Sequence, residues 1–127
     1  MKSLFNRAVV AVVAGALFFV PVASQGAATR VRTIAGGAGF EFSPMRTSIV
    51  KGDSVKWIES SRTVHQIKFY KKPAAMSGFS LRPGDSVKRT FKKVGAYKYR
   101  CTIGAHSALT DDGICTGMCG VIKVARP

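Results

Sequence analysis

Helical periodicity is missing from this chain. No window of useful length repeats its apolar residues at the three-to-four spacing of an amphipathic helix, which argues against a helical bundle or an α/β layer. Internal repeats and long linkers are also absent, so the 127 residues read as one domain. Acidic side chains are scarce, six Asp and Glu against twenty Lys and Arg. Cysteine occurs three times, an odd number that leaves one thiol without a partner. Histidine occurs only at positions 65 and 106. Beyond the N-terminus there is no apolar run of membrane-spanning length.

What is present begins with a leader-like segment. Lys2 and Arg7 flank the start, Ala8 to Val22 is apolar, and Val22-Ala23-Ser24 and Gly26-Ala27-Ala28 offer small residues at cleavage spacing. The apolar run is about 15 residues, short of the ~20 needed to cross a bilayer. Residues 1–24 are therefore expected to be a signal peptide, with cleavage as late as residue 28, and 29–127 the mature domain. No Cys lies near either site, which argues against a lipid anchor. The product should be exported, periplasmic or extracellular, without stable membrane insertion, and in an oxidising compartment its cysteines should be paired or metal-bound.

Loss of Lys2 and Arg7 leaves eighteen bases against six acids, a balance of +12. Such a charge favours acidic partners; export argues against nucleic acid. Lys68, Lys88, Lys92, Lys98 and Arg100 are spread along alternating segments, which fits either a solvated sheet face or a defined docking surface.

The segments after the leader alternate with period two between Gly, Pro and Asp turns. Arg30–Ala35, Phe40–Phe42, Thr47–Val50, Ser54–Ile58, Val64–Tyr70, Ser86–Phe91, Ala96–Cys101 and Gly120–Val124 read as strands of an antiparallel sandwich or barrel, an all-β fold. Lys71–Ser80 reads as a loop. Candidate core residues are Phe40, Phe42, Ile49, Val55, Trp57, Ile67, Phe69, Val87, Phe91, Tyr97, Val121 and Val124.

The stretch Tyr97–Val124 carries the chemistry. A strand ends at Cys101, His106 follows five residues later, and Met118 precedes the last strand. Thiol, imidazole and thioether form a soft-metal set that lacks a second imidazole, and His65 is the only one remaining. His65 shares strand parity with Ile67 and Phe69 and so points inward. A lone inward histidine is more often a hydrogen-bonded core residue than a ligand, but the three other donor types shift that balance. Thiolate, two imidazoles and a weak thioether suit a mononuclear copper that cycles between Cu(I) and Cu(II) with little rearrangement.

The segments FEFSP, TSIVKGDSVKW, VHQIKF, RPGDSVKRTFKKVGAYKYRC and GMCGVIKV, spanning Phe40 to Val124, resemble the cupredoxins, the plastocyanin, pseudoazurin and azurin family of blue copper proteins. The resemblance implies a Greek-key sandwich of about eight strands and one type 1 copper on His65, Cys101, His106 and Met118. It also implies transient electron exchange with a larger redox protein, by a monomer, through an apolar patch around His106 that here includes Ala105, Ala108 and Leu109. Three features depart from the family. Gln66 stands where many members carry Asn and would reach Thr102 as a neighbour of the thiolate. Eleven residues separate His106 from Met118, more than is usual. Cys115 and Cys119 bracket Met118; they read as a disulfide, with a thiolate supplementing or replacing Met118 as the alternative.

Two function classes remain. One is an electron carrier. The other is a copper chaperone or scavenger, for which Met45, Met76 and the extra cysteines would add soft ligands. A multicopper enzyme would need further histidine pairs, so no enzymatic activity is expected of this chain.

Overall fold

The computed structural model describes residues 30–37, 39–73 and 76–127. The expected leader lies outside them. Among the described residues no helix is long and apolar enough to cross a membrane.

The described residues form eleven strands in chain order: β1 Val31–Gly36, β2 Phe42–Ser43, β3 Arg46–Val50, β4 Ser54–Glu59, β5 His65–Lys71, β6 Phe79–Leu81, β7 Ser86–Thr90, β8 Gly95–Cys101, β9 Ser107–Leu109, β10 Cys115–Gly117 and β11 Cys119–Ala125. They form a four-stranded sheet ordered β2-β1-β4-β7, a five-stranded sheet ordered β3-β11-β8-β5-β6, and the β9–β10 hairpin. The all-β sandwich expected from period-two patterning is what forms. The wholly antiparallel expectation is corrected, because β1 pairs with β4 and β3 with β11 in parallel.

Between the sheets lies an aromatic core. Trp57 stands edge-on to Tyr99 and Phe69, and Phe91 packs edge-on to Tyr97. Burying each such side chain is worth about 1.5–3 kcal/mol. The inward parity of β5 is as expected: His65, Ile67 and Phe69 are buried, while Gln66 and Lys68 are exposed.

Five expectations need correction. The segment Lys71–Ser80 ends in β6, a three-residue edge strand whose Leu81 sits opposite His65; a piece so short leaves almost no periodic signal. The spacer after His106 folds into β9 and β10. Val121 is only partly buried, and Gly120, Ile122 and Val124 face inward instead. The cause is Gly120, opposite Tyr99 in the ladder: a Cβ there would stand 2.2 Å from the Tyr99 ring, so only glycine fits inward at that position. Phe40 is 42% exposed and outside the core, and Val87 only packs against its edge.

One buried carboxylate ties the first strand to the sandwich. Asp53 accepts the backbone N–H of Arg30 at 3.0 Å and of Val50 at 3.1 Å. These bonds hold its carboxyl below the ordinary 3.8. A carboxyl depressed in the folded state contributes stability that is present above its unfolded pKa and lost as pH falls through the folded one. Asp53→Asn should therefore lower the melting temperature at neutral pH, and the gap from the parent should close as pH is taken below about 4. Thermal melts across that range check this.

Candidate metal centre

All four proposed donors sit at one end of the sandwich. His65 opens β5, Cys101 closes β8, His106 ends a 3₁₀ turn, Gly104–His106, and Met118 immediately precedes β11. Two of them belong to strand ends in the middle of the five-stranded sheet, where neighbouring ladders leave little freedom. The other two are fastened to that frame by main-chain bonds. The Met118 N–H donates to the His106 carbonyl at 2.7 Å, and the Cys101 N–H donates to the Met118 carbonyl at 3.0 Å. A further bond of 2.8 Å runs from the Thr102 N–H to the Gln66 carbonyl, linking the residues that follow Cys101 and His65.

The side chains converge. Cys101 Sγ lies 3.8 Å from His65 Nδ1 and 3.4 Å from His106 Nδ1. The three donor atoms are all within 4.8 Å of one another. Cys101 is the free cysteine among the described residues, and it is fully buried. Met118 is fully buried as well, and Gly36 shows where it points. A Cβ built on Gly36 would meet the His65 ring at 3.1 Å, Glu59 Oε2 at 3.2 Å and the Met118 methyl at 3.4 Å. The thioether thus shares a wall with His65, and a side chain at Gly36 would crowd both.

Sequence reasoning missed Glu59. Its carboxylate is fully buried, with Oε2 3.0 Å from His65 Nε2. The two atoms are close but not aligned as a good hydrogen bond, and neither has another partner. The other oxygen accepts the Ser61 N–H and hydroxyl. With its Nε2 side turned to a carboxylate, His65 is set to carry its proton there and to leave Nδ1 bare toward Cys101. Burial pushes the His65 pKa below its ordinary 6.5; Glu59 pulls it up, and His106 adds to the lowering. The neutral ring, which is the form that binds a metal, is favoured. A signal was available in the sequence: Glu59 shares strand parity with Val55 and Trp57, and an acid on a core-facing position implies a partner.

Phe40 was misplaced in the core. It adopts φ 55° in the turn after β1 and stacks on the His106 ring, centroids 3.9 Å apart and planes 27° from parallel. A positive φ is costly for a bulky side chain, and here it lifts the ring over the one partly exposed donor. Gln66 and Thr102 meet as expected, Thr102 Oγ1 to Gln66 Oε1 at 3.2 Å. Cys115 and Cys119 form a disulfide, so neither is a free thiolate that could replace Met118.

A buried thiol facing two Nδ1 atoms, with a buried thioether alongside, has donor chemistry that fits one soft metal ion. The family described as copper binding proteins, plastocyanin/azurin family, matches residues 28–125. The chain belongs to that family.

Solved structures agree on the fold. This cupredoxin is similar to a purple cupredoxin from Nitrosopumilus maritimus, with 20% identity over 74% of this chain and 99% of that one and a TM-score of 0.58. It is also similar to a reduced amicyanin variant, with 22% identity over 80% of this chain and 87% of that one and a TM-score of 0.55. A copper-containing nitrite reductase from Thermus scotoductus SA-01 matches with 22% identity over 85% of this chain, but over 25% of its own length, at a TM-score of 0.60. The cofactor is one copper, and His65, Cys101 and His106 are positioned to hold it.

Glu59→Gln keeps the shape of the side chain but removes its charge. In this cupredoxin it should weaken copper binding by about 10- to 100-fold, the usual effect of losing a carboxylate behind a ligating histidine. A competition titration against a copper chelator measures this, with circular dichroism confirming an unchanged fold.

Proposed function

We propose that the protein is an exported carrier of single electrons, in which His65, Cys101 and His106 hold a type 1 copper and Met118 is the weak axial ligand. The observation that supports it most is the buried Cys101 thiol facing two imidazole Nδ1 atoms at 3.8 and 3.4 Å. Held by these residues, a copper ion would take one electron from a donor protein as Cu(II) and pass it to an acceptor as Cu(I).

The chain's own part is to keep the donors still. His65 is gripped by Glu59 and packed against Gly36. Met118 is stitched by its backbone to His106 and Cys101. Met118 is also one of the five residues closed by the Cys115–Cys119 disulfide, a closure worth about 2 kcal/mol in chain entropy. Gln66 and Thr102 anchor the start of the loop next to the thiolate. His106 is the donor nearest the surface, and Phe40 covers one face of its ring, so electrons would enter or leave through this pair. A monomer that docks briefly on an acidic redox protein agrees with the charge of +14 on the whole chain. The chain has only two histidines, and one centre uses both; we assign it no enzymatic chemistry.

The copper-handling alternative has lost its extra ligands. Cys115 and Cys119 are oxidised to a disulfide, Met76 packs against the core, and Met45 lies 52% exposed outside the donor set.

The carrier reading is tested by voltammetry and visible spectra of the copper-loaded protein. A reversible one-electron wave and an intense thiolate-to-copper band are expected, and Cys101→Ser should abolish the band. A colourless protein that holds only Cu(I) and shows no reversible wave would turn the assignment to copper handling.

A further inference from the structure

The outer face of the five-stranded sheet carries Arg46, Lys68, Lys98, Arg100 and Lys123, and no acidic residue lies on any of its five strands. Lys68 stands directly opposite Arg100, and Lys71 opposite Lys98. Like charges facing each other across a ladder oppose folding, and among the described residues no carboxylate pairs with any of them. Charge alone does not single out this face, since Lys56 stands opposite Lys88 on the other sheet.

Shape does. A groove of about 440 Å³ runs between this face and the β9–β10 hairpin. Its apolar lining includes Met45, Ile114 and Val121, and Arg46, Lys98 and Lys123 stand around it. Met45 is 52% and Ile114 58% exposed, high values for large apolar side chains. One wall is the Cys115–Cys119 disulfide, the same bridge that closes around Met118. Asp111 and Asp112 lie in the hairpin turn beyond Ile114 and outside the lining.

We propose that this groove docks an acidic segment of a partner protein, one that places an apolar side chain between carboxylates. Cations around an apolar floor match that chemistry in both respects. A concave groove fits a projecting side chain better than the flat surface of a bilayer. Phe40 and His106 are outside its lining, so a partner gripped here would leave them uncovered for its redox centre. The identity of the partner as a redox protein rests on the carrier reading; the binding itself does not.

The test uses copper(I)-loaded, ¹⁵N-labelled protein. It is titrated with a short synthetic peptide of Asp and Glu around a central leucine, with the same peptide carrying glycine there, and with phosphatidylglycerol vesicles. The leucine peptide should shift the amides of Met45, Ile114, Val121 and their neighbours, and should bind more tightly than the glycine peptide. Ile114→Asp, at a position that is 58% exposed, should weaken it by about tenfold, with circular dichroism confirming an unchanged fold. Lys88→Glu, a larger charge change on the opposite sheet, should alter affinity less than about twofold. Equal binding of the two peptides, shifts centred on Phe40 and His106, no shifts at all, or binding to vesicles alone would overturn the proposal. Because binding is read from amide shifts and not from redox cycling, a protein that binds but carries no electron fails only the carrier reading. One that carries electrons but does not bind fails only the groove.

Discussion

A thiol and two imidazole nitrogens must be held in mutual contact inside a protein, and most of the metal end of this structure serves that requirement. Crowding three polar donors away from water is costly unless each is oriented and its remaining polar atoms are provided for. The burden falls on His65, which is fully buried; the Glu59 carboxylate stands 3.0 Å from its second nitrogen, and Ser61 donates to the carboxylate's other oxygen. Cys101 and His106 are then set against it by backbone bonds that pass through Met118. The residue whose ligand role looks weakest chemically is thus the one whose main chain joins the others.

This explains why the long spacer after His106 does no harm. Eleven residues would make a loose tether if they were unstructured. Here they pair with themselves as β9 and β10, with Gly117 opposite Ser107, and the disulfide closes the exit. Gly117, at φ 81°, lets the hairpin press against His106, since a Cβ there would stand 2.4 Å from the His106 carbonyl oxygen. The hairpin also gives the protein its groove, so the segment that leads from His106 to Met118 also shapes the surface beside it.

Much of this was legible in the residues because strand parity is a strict code. His65 could be placed inward by Ile67 and Phe69, and Cys101 follows Tyr97 and Tyr99 on the same face of β8. The same code exposes what was overlooked: Glu59 falls on the face of Val55 and Trp57, and Ile122, not Val121, falls on the face of Val124. Other features had no local signal. β6 is too short to show a period, and the parallel pairings of β1 with β4 and β3 with β11 join segments distant in sequence. Phe40 looks like any strand aromatic, and only its left-handed backbone turns it over His106. The basic excess was plain, but its division between general solvation and a shaped groove depends on the hairpin's position in space.

X-ray absorption at the copper edge, on the Cu(I) and Cu(II) forms of the same preparation, tests the central claim most directly. A frame that holds Cys101, His65 and His106 in place predicts one short sulfur and two nitrogen neighbours in both forms, with the shell hardly altered between them. Loss of a nitrogen neighbour at neutral pH in Cu(I), or two short sulfur neighbours in either form, would contradict it.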